Sequence, residues 1–381
     1  MRLVVLLALV ACGASPMPEP IESRPLGLND VSILLPLPAD PSTPVLVGIG
    51  GDGEGSELIA PNLVASLVGA NAIGPKNGDV VTYDQFHVVA LRVDLCPRDS
   101  AGPCAEGLDG RLRVVLQPIF ANAQQLVLSH DIALHAFYPI PAGELASVVA
   151  ELRALAAIQD VPIDTPLGVN TGIASAEYTA RLRALVMTYA RADQLVKLTV
   201  IGQNAESAAF AWIFGGFERR DGVFAPIVIP GLGTKTHQHV LDGGGDTIYQ
   251  LTPGIDSPPG FAIAINGQRF AAASQDEKVF ALDALAAIQN PLRHDANDLQ
   301  CASCHVATFL TARRSESAAI DPQLLPDRYP SPYNLANDTL ASHDSRVVRA
   351  FGWGGSAPTI SQRVVNDSAQ VVTEIEARFA P

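Results

Sequence analysis

Five residues, Cys301-Ala302-Ser303-Cys304-His305, restrict the local conformation and chemistry of this chain more than any other stretch. Thiols three residues apart sit on one turn of a helix and face the same way, and the imidazole one residue on is directed to that side too. Two common uses of a Cys-x-x-Cys pair fit the surroundings poorly. A redox pair of the thioredoxin kind normally stands at the end of a strand within a βαβ unit, whereas here a helix and then a loop come first. That helix runs over Asp276 to Ile288 with Val279, Phe280, Leu282 and Leu285 near one face, and Asn290-Pro291 stops it. A zinc site asks for a second Cys or His pair at knuckle spacing, and no further cysteine pair follows.

The beginning of the chain gives the compartment. Met1-Arg2 is a short positive start, and Leu3 to Val10 is an unbroken apolar run, too short to span a bilayer. It ends in Leu9-Val10-Ala11-Cys12, which resembles the lipobox of bacterial lipoproteins. The resemblance implies that residues 1–11 are a removable signal peptide, that Cys12 is lipidated, and that the acylated N-terminus holds the protein to a membrane. Each buried CH₂ of such an anchor contributes about 0.8 kcal/mol. An ordinary secretory signal with an incidental Cys12 is the plainer alternative. Gly13 is not the aspartate that retains such proteins at the inner membrane, so the outer membrane is the favoured address, facing the periplasm.

An exported protein with five cysteines invites an account of each. Cys12 is assigned to lipid and Cys301 and Cys304 to the motif. Cys96 and Cys104 remain, at the ends of a Pro- and Gly-containing excursion between two strands, where an oxidising compartment permits a disulfide. Closing so short a loop contributes roughly 2–3 kcal/mol; a redox-active or metal-binding pair is the alternative.

With export established as the expectation, the Cys-x-x-Cys-His run has a third chemistry. Its two thiols reach the two vinyl groups of one porphyrin as thioethers, and the adjacent histidine meets the iron. Here the chain resembles c-type cytochromes. The resemblance covers only the C-terminal quarter, and implies one covalent haem c held by Cys301, Cys304 and His305, with His305 as axial ligand. It also implies a small, mainly helical cytochrome c-like domain over 271–381. A closing helix capped by Asp367 or Ser368, with Val371, Val372, Ile375 and Phe379 on one stripe, suits that layout. In this reading the haem-free protein has both sulfurs beside an apolar cleft into which His305 also points. The chain departs from the family at the sixth position. The methionines are Met1, Met17 and Met187, and none follows Cys304. His343 or His294 then becomes the candidate sixth ligand, unless Met187 swings in or the position stays open. Arg313, Arg314 and Arg363 are candidates for pairing with the haem propionates.

The rest of the chain reads as an N-terminal α+β domain with a mixed sheet over 30–270, joined to the anchor by a Pro-rich tether over 12–29. Strands are expected at Val31–Leu35, Val45–Val47, Tyr83–Asp94, Arg111–Ile119, Leu195–Gly202, Ala208–Phe217 and Val223–Ile229. Helices are expected at Gly143–Ile158 and Ser175–Arg191. His237-Gln238-His239 puts two imidazoles on one face of a strand, as a metal pair or a polar strand edge. Gly48 to Gly55 reads as a turn, because it lacks the Gly-Lys-Ser/Thr ending of a phosphate loop. A formal net charge of −14 with four lysines excludes nucleic acid as a partner. The function these features favour is electron transfer in the cell envelope with an unidentified redox protein partner. A haem enzyme or gas or redox sensor with an open sixth position, and a haem-free envelope binding lipoprotein, are the alternatives.

Overall fold

A computed structural model describes residues 24–53, 55–70, 81–96, 108–203, 211–242, 247–249, 251, 253–254, 257–295, 298–333, 348 and 350–379. The signal peptide, Cys12, most of the tether, Cys104 and His343 lie outside the described residues. The described chain is mixed α and β, built on one large antiparallel sheet.

The sheet runs β1-β2-β3-β5-β6-β7-β9-β10, with β4 on β3 and β8 on β7. Its strands are β1 (Ser32–Leu34), β2 (Phe86–Leu95), β3 (Leu108–Ala121), β4 (Val127–Ser129), β5 (Ile132–Pro141), β6 (Lys197–Gln203), β7 (Ala211–Arg220), β8 (Val223–Pro226), β9 (His237–Asp242) and β10 (Ile248–Tyr249). A separate hairpin, β11 (Phe351–Gly354) and β12 (Ala357–Ile360), comes late. The helices are α1 (Leu28–Val31), α2 (Pro61–Ala70), α3 (Leu145–Gln159), α4 (Ala176–Tyr189), α5 (Phe261–Ala264), α6 (Gly267–Ala272), α7 (Gln275–Gln289), α8 (Cys301–Ala318) and α9 (Gln362–Arg378).

Side chains alternate across a strand, so each strand serves two faces. On one face Leu134, Ala136 and Tyr138 of β5 and Leu198 and Val200 of β6 pack with Leu152 of α3 and Leu182 of α4. On the other, Ala133 of β5, Ile201 of β6 and Trp212 and Phe214 of β7 pack with Leu282 of α7, Phe309 of α8 and Val365 of α9. The helices therefore cover both sides of the sheet. The expected boundary at 270/271 falls inside α6, and this second cluster joins side chains from both sides of it.

The helices expected over Asp276–Ile288 and Ser175–Arg191 form as α7 and α4. The hydroxyl of Ser274 accepts from Glu277 N–H and the Glu277 carboxylate accepts from Ser274 N–H, a capping box that starts α7. Ser175 caps α4 by accepting from Tyr178 N–H. Others are corrected. α9 begins at Gln362, capped by Ser361, so Asp367 and Ser368 lie inside the helix. Asp367 is drawn there by ion pairs with Arg92 and Arg363, and Ser368 donates back to Val364 O. Val31 closes a short helix instead of opening β1. Val45–Val47 forms no named strand, although Val47 O and Ile49 N–H bond to β2.

Candidate functional site

α8 starts at the motif. Gln300 at its N-cap contributes no side-chain cap, which leaves the early N–H groups in need of acceptors. A strand residue supplies one: Gln238 of β9 accepts from Ala302 N–H at 3.2 Å and donates to Gln300 Oε1 at 2.7 Å. Gln238 is buried, while its neighbours His237 and His239 face the other way with ring centres 5.4 Å apart. Burial and then His237 hold the His239 imidazole below its usual pKa. Among the described residues no group of three or more His, Cys, Asp or Glu side chains is arranged to hold a metal ion.

Cys301, Cys304 and His305 occupy positions i, i+3 and i+4 of the helix, and all three line one cleft of about 330 Å³ between α8, α9 and the sheet. The volume lies in the range of small-molecule sites, roughly 300–1,000 Å³. The two cysteines are free thiols and half-buried. Burial pushes the Cys301 thiol up, against the pull of Lys197. Burial likewise raises Cys304 to about 11, Arg363 opposing it. Both are therefore protonated at neutral pH, unlike the low-pKa nucleophile of a dithiol oxidoreductase.

The imidazole of His305 is oriented from behind. Its Nδ1 donates to Val348 O at 2.7 Å, which fixes the tautomer and places the lone pair on Nε2. The segment bearing Val348 leads into the β11–β12 hairpin, which is clamped to β3. Gln117 Nε2 donates to Trp353 O at 2.9 Å, and Trp353 N–H donates to Gln117 Oε1 at 2.7 Å. Gly352, at φ 151°, allows that approach, since a Cβ there would stand 2.4 Å from Gln117 Oε1. Phe214 of β7 lies against the imidazole with ring centres 5.1 Å apart. His135 of β5 meets it edge-on at 6.4 Å.

The cleft has the expected apolar wall, with Phe137, Ile201, Phe214, Ile227 and Leu299, and a charged side besides. Arg111, Arg113, Lys197 and Arg363 line it against two carboxylates, Glu218 and Asp367. Behind them a buried network ties the sheet to α9. Arg92 pairs with Asp94 at 2.6 Å and Asp367 at 3.1 Å, Arg113 pairs with Asp94 at 2.8 Å, and Arg363 pairs with Asp367 at 2.7 Å. Burial alone would raise Asp94, but Arg113, Arg92 and Arg111 outweigh it and pull the carboxyl down to about 2. Burial and then Arg92 bring Arg113 down to about 10, as cations crowded in a region of low dielectric require.

The other sequence candidates disperse. Arg314 is buried, donating to Ala264 O under the Phe270 ring, and Arg313 is exposed beside Phe309; neither lines the cleft. Arg363 does. His294 is not among the lining residues, and its carbonyl accepts from Arg363 at 2.8 Å. Cys96 is buried at the end of β2, and its expected partner Cys104 lies outside the described residues. The sequence reading missed His135, Phe137, Lys197, Arg111 and Arg113. Arg111 and Arg113 alternate with apolar residues along β3, whereas His135 and Phe137 lie in a nearly continuous apolar run that gives no local signal.

No family model, curated protein or solved structure matches this chain.

The arrangement can hold a small anionic ligand. The protonated thiols and one oriented imidazole meet it from the helix, and four cations answer its negative charge.

Proposed function

We propose that the chain carries one covalent haem c, tethered by Cys301 and Cys304 and ligated by His305, and transfers electrons in the cell envelope. The observation that carries this reading is that both thiols and the imidazole open onto one shared cleft instead of a solid interior. Three further features fit the group. The cysteines are reduced and free, as thioether formation with a vinyl group requires. The hydrogen bond from Nδ1 to Val348 O leaves Nε2 as the ligating nitrogen, the usual second-sphere arrangement of a metal-bound histidine. The surplus of cations suits two propionates, with Arg363, Arg113, Arg111 and Lys197 as their partners in place of Arg313 and Arg314.

Bound haem supplies one-electron chemistry at iron. The protein's own part is to hold, orient and tune. α8 presents the thiols and imidazole, the Val348 carbonyl orients His305, and the Arg113–Asp94–Arg92–Asp367–Arg363 network fixes the charge around the site. The cytochrome-like segment over 271–381 does this jointly with β3, β5, β6 and β7. Lipid on Cys12 anchors the protein, with the outer membrane favoured and a redox protein as partner. No helix among the described residues is long and apolar enough to cross a membrane.

Expression with a cytochrome c maturation system, followed by a denaturing gel stained for haem peroxidase activity, tests the proposal. A stained wild-type band that vanishes in Cys301→Ala supports attachment, and an unstained wild-type band rejects it. Radiolabelled palmitate incorporated by wild type and not by Cys12→Ala checks the anchor.

A further inference from the structure

We infer that His135 is the second axial ligand, so that the iron is held between the central sheet and α8. This rests on the haem reading above and names the residue that closes its sixth position. Among the described residues two histidines line the cleft, one from each wall: His305 from the helix and His135 from β5. Their ring centres are 6.4 Å apart with planes at 86°. A metal–imidazole nitrogen bond is about 2 Å, and the nitrogen sits about 1 Å from its ring centre, so two imidazoles in line across one ion have centres about 6 Å apart. The observed spacing is close to that distance, which leaves room for one ion between the two rings.

The position of His135 is set on both sides. It is directly opposite Val115 of β3 and Thr199 of β6 in the ladder, and is 8% exposed. A ligand on a central strand is held more firmly than one on a loop. The competitors are placed worse. Met187 packs against the core on the opposite face of the sheet. His294 does not line the cleft. His343 lies outside the described residues and is the rival that the test must separate.

Two imidazoles make a six-coordinate iron without an open position, and without the methionine that raises the potential in many cytochromes. That combination suits an electron carrier and not a gas sensor.

The test uses the full chain, matured with haem, read by electron paramagnetic resonance, near-infrared magnetic circular dichroism and potentiometry. Wild type is expected to be low-spin with the bis-imidazole signature. His135→Gly should become high-spin, bind carbon monoxide readily, and return to low-spin when free imidazole is added. His135→Met should stay low-spin with a higher potential. His343→Ala and His294→Ala should match wild type. A His135→Gly protein that keeps the wild-type low-spin spectrum overturns the inference, as does loss of the low-spin state in His343→Ala. A high-spin wild type overturns it also. In each of those cases the haem-stained band persists, whereas failure of the attachment reading shows as no band at all. Far-ultraviolet circular dichroism confirms that each variant is folded, and recovery by imidazole in His135→Gly excludes a collapsed site.

Discussion

On the side of α3 and α4, β5 presents Leu134, Ala136 and Tyr138; one residue over, toward α8, it presents Ala133, His135 and Phe137. The same contrast runs through β3, with Val114 and Leu116 on the first face and Arg111, Arg113 and Gln117 on the second, and through β6, where Leu198 and Val200 oppose Lys197 and Thr199. The α3–α4 face is dry and held by apolar burial. The α8 face is organised by charge and hydrogen bonds around an opening. One face supplies stability that the other, with its buried ions, does not maximise, because desolvating charges offsets much of their attraction.

The largest expected effect comes from breaking the charged face. Asp94→Ala leaves Arg92 and Arg113 without their shared carboxylate and should destabilise by about 3–5 kcal/mol in denaturant unfolding. A loss no greater than that of a surface substitution would erase the distinction between the faces. The same group sets an acid limit. Its folded pKa, about 2, is depressed below the unfolded value of about 3.9, so its contribution is complete above that upper value and disappears as pH falls toward 2. Acid titration of wild type against Asp94→Asn should show that component missing in the variant.

On the dry face, Leu152→Ala should cost about 2–5 kcal/mol by leaving a cavity. Haem content per folded molecule should stay unchanged, and a selective loss of haem would show that the faces are coupled. The thiols give the next effect. With its pKa at about 11 against an ordinary 9.0, Cys304 in haem-free protein should be alkylated roughly 100-fold more slowly than a free thiol at pH 8. Iodoacetamide kinetics across pH read this directly, and a rate equal to that of free cysteine would contradict a buried thiol.

Smaller effects sharpen the comparison. Tyr138→Phe removes one hydrogen bond, to Leu58 O at 2.7 Å, and should cost about 1 kcal/mol. Arg191→Ala breaks an exposed pair with Asp193 and should change the unfolding free energy by less than about 0.5 kcal/mol.

The elements most legible in the sequence are those whose signals are local. Asn290-Pro291 marks the end of α7, and the apolar stripe of Leu145, Val148, Val149, Leu152 and Leu155 marks α3. β5 carried no such mark. Ile132 to Pro141 is almost continuously apolar, holds two prolines and shows no alternation, because both of its faces are covered. The start of α9 is less legible, since Asp367 looks like a cap until its two arginine partners are in view. Gln238 carries no local mark between its two histidines, yet it is the residue that caps α8.

The chain's covalent order determined that two thiols and an imidazole share one helical turn, because positions i, i+3 and i+4 are brought together by hydrogen bonds within a few residues. What stands opposite them was decided only by the tertiary structure. Arg111 and Arg113, His135, and Lys197 come from three strands far apart in the chain, and Arg363 from the last helix. They meet because antiparallel register aligns Arg113 with Phe137, Phe137 with Lys197 and His135 with Thr199. A shift of one residue in any of these pairings would turn the charged set onto the dry face, and nothing within a single segment records which register is chosen.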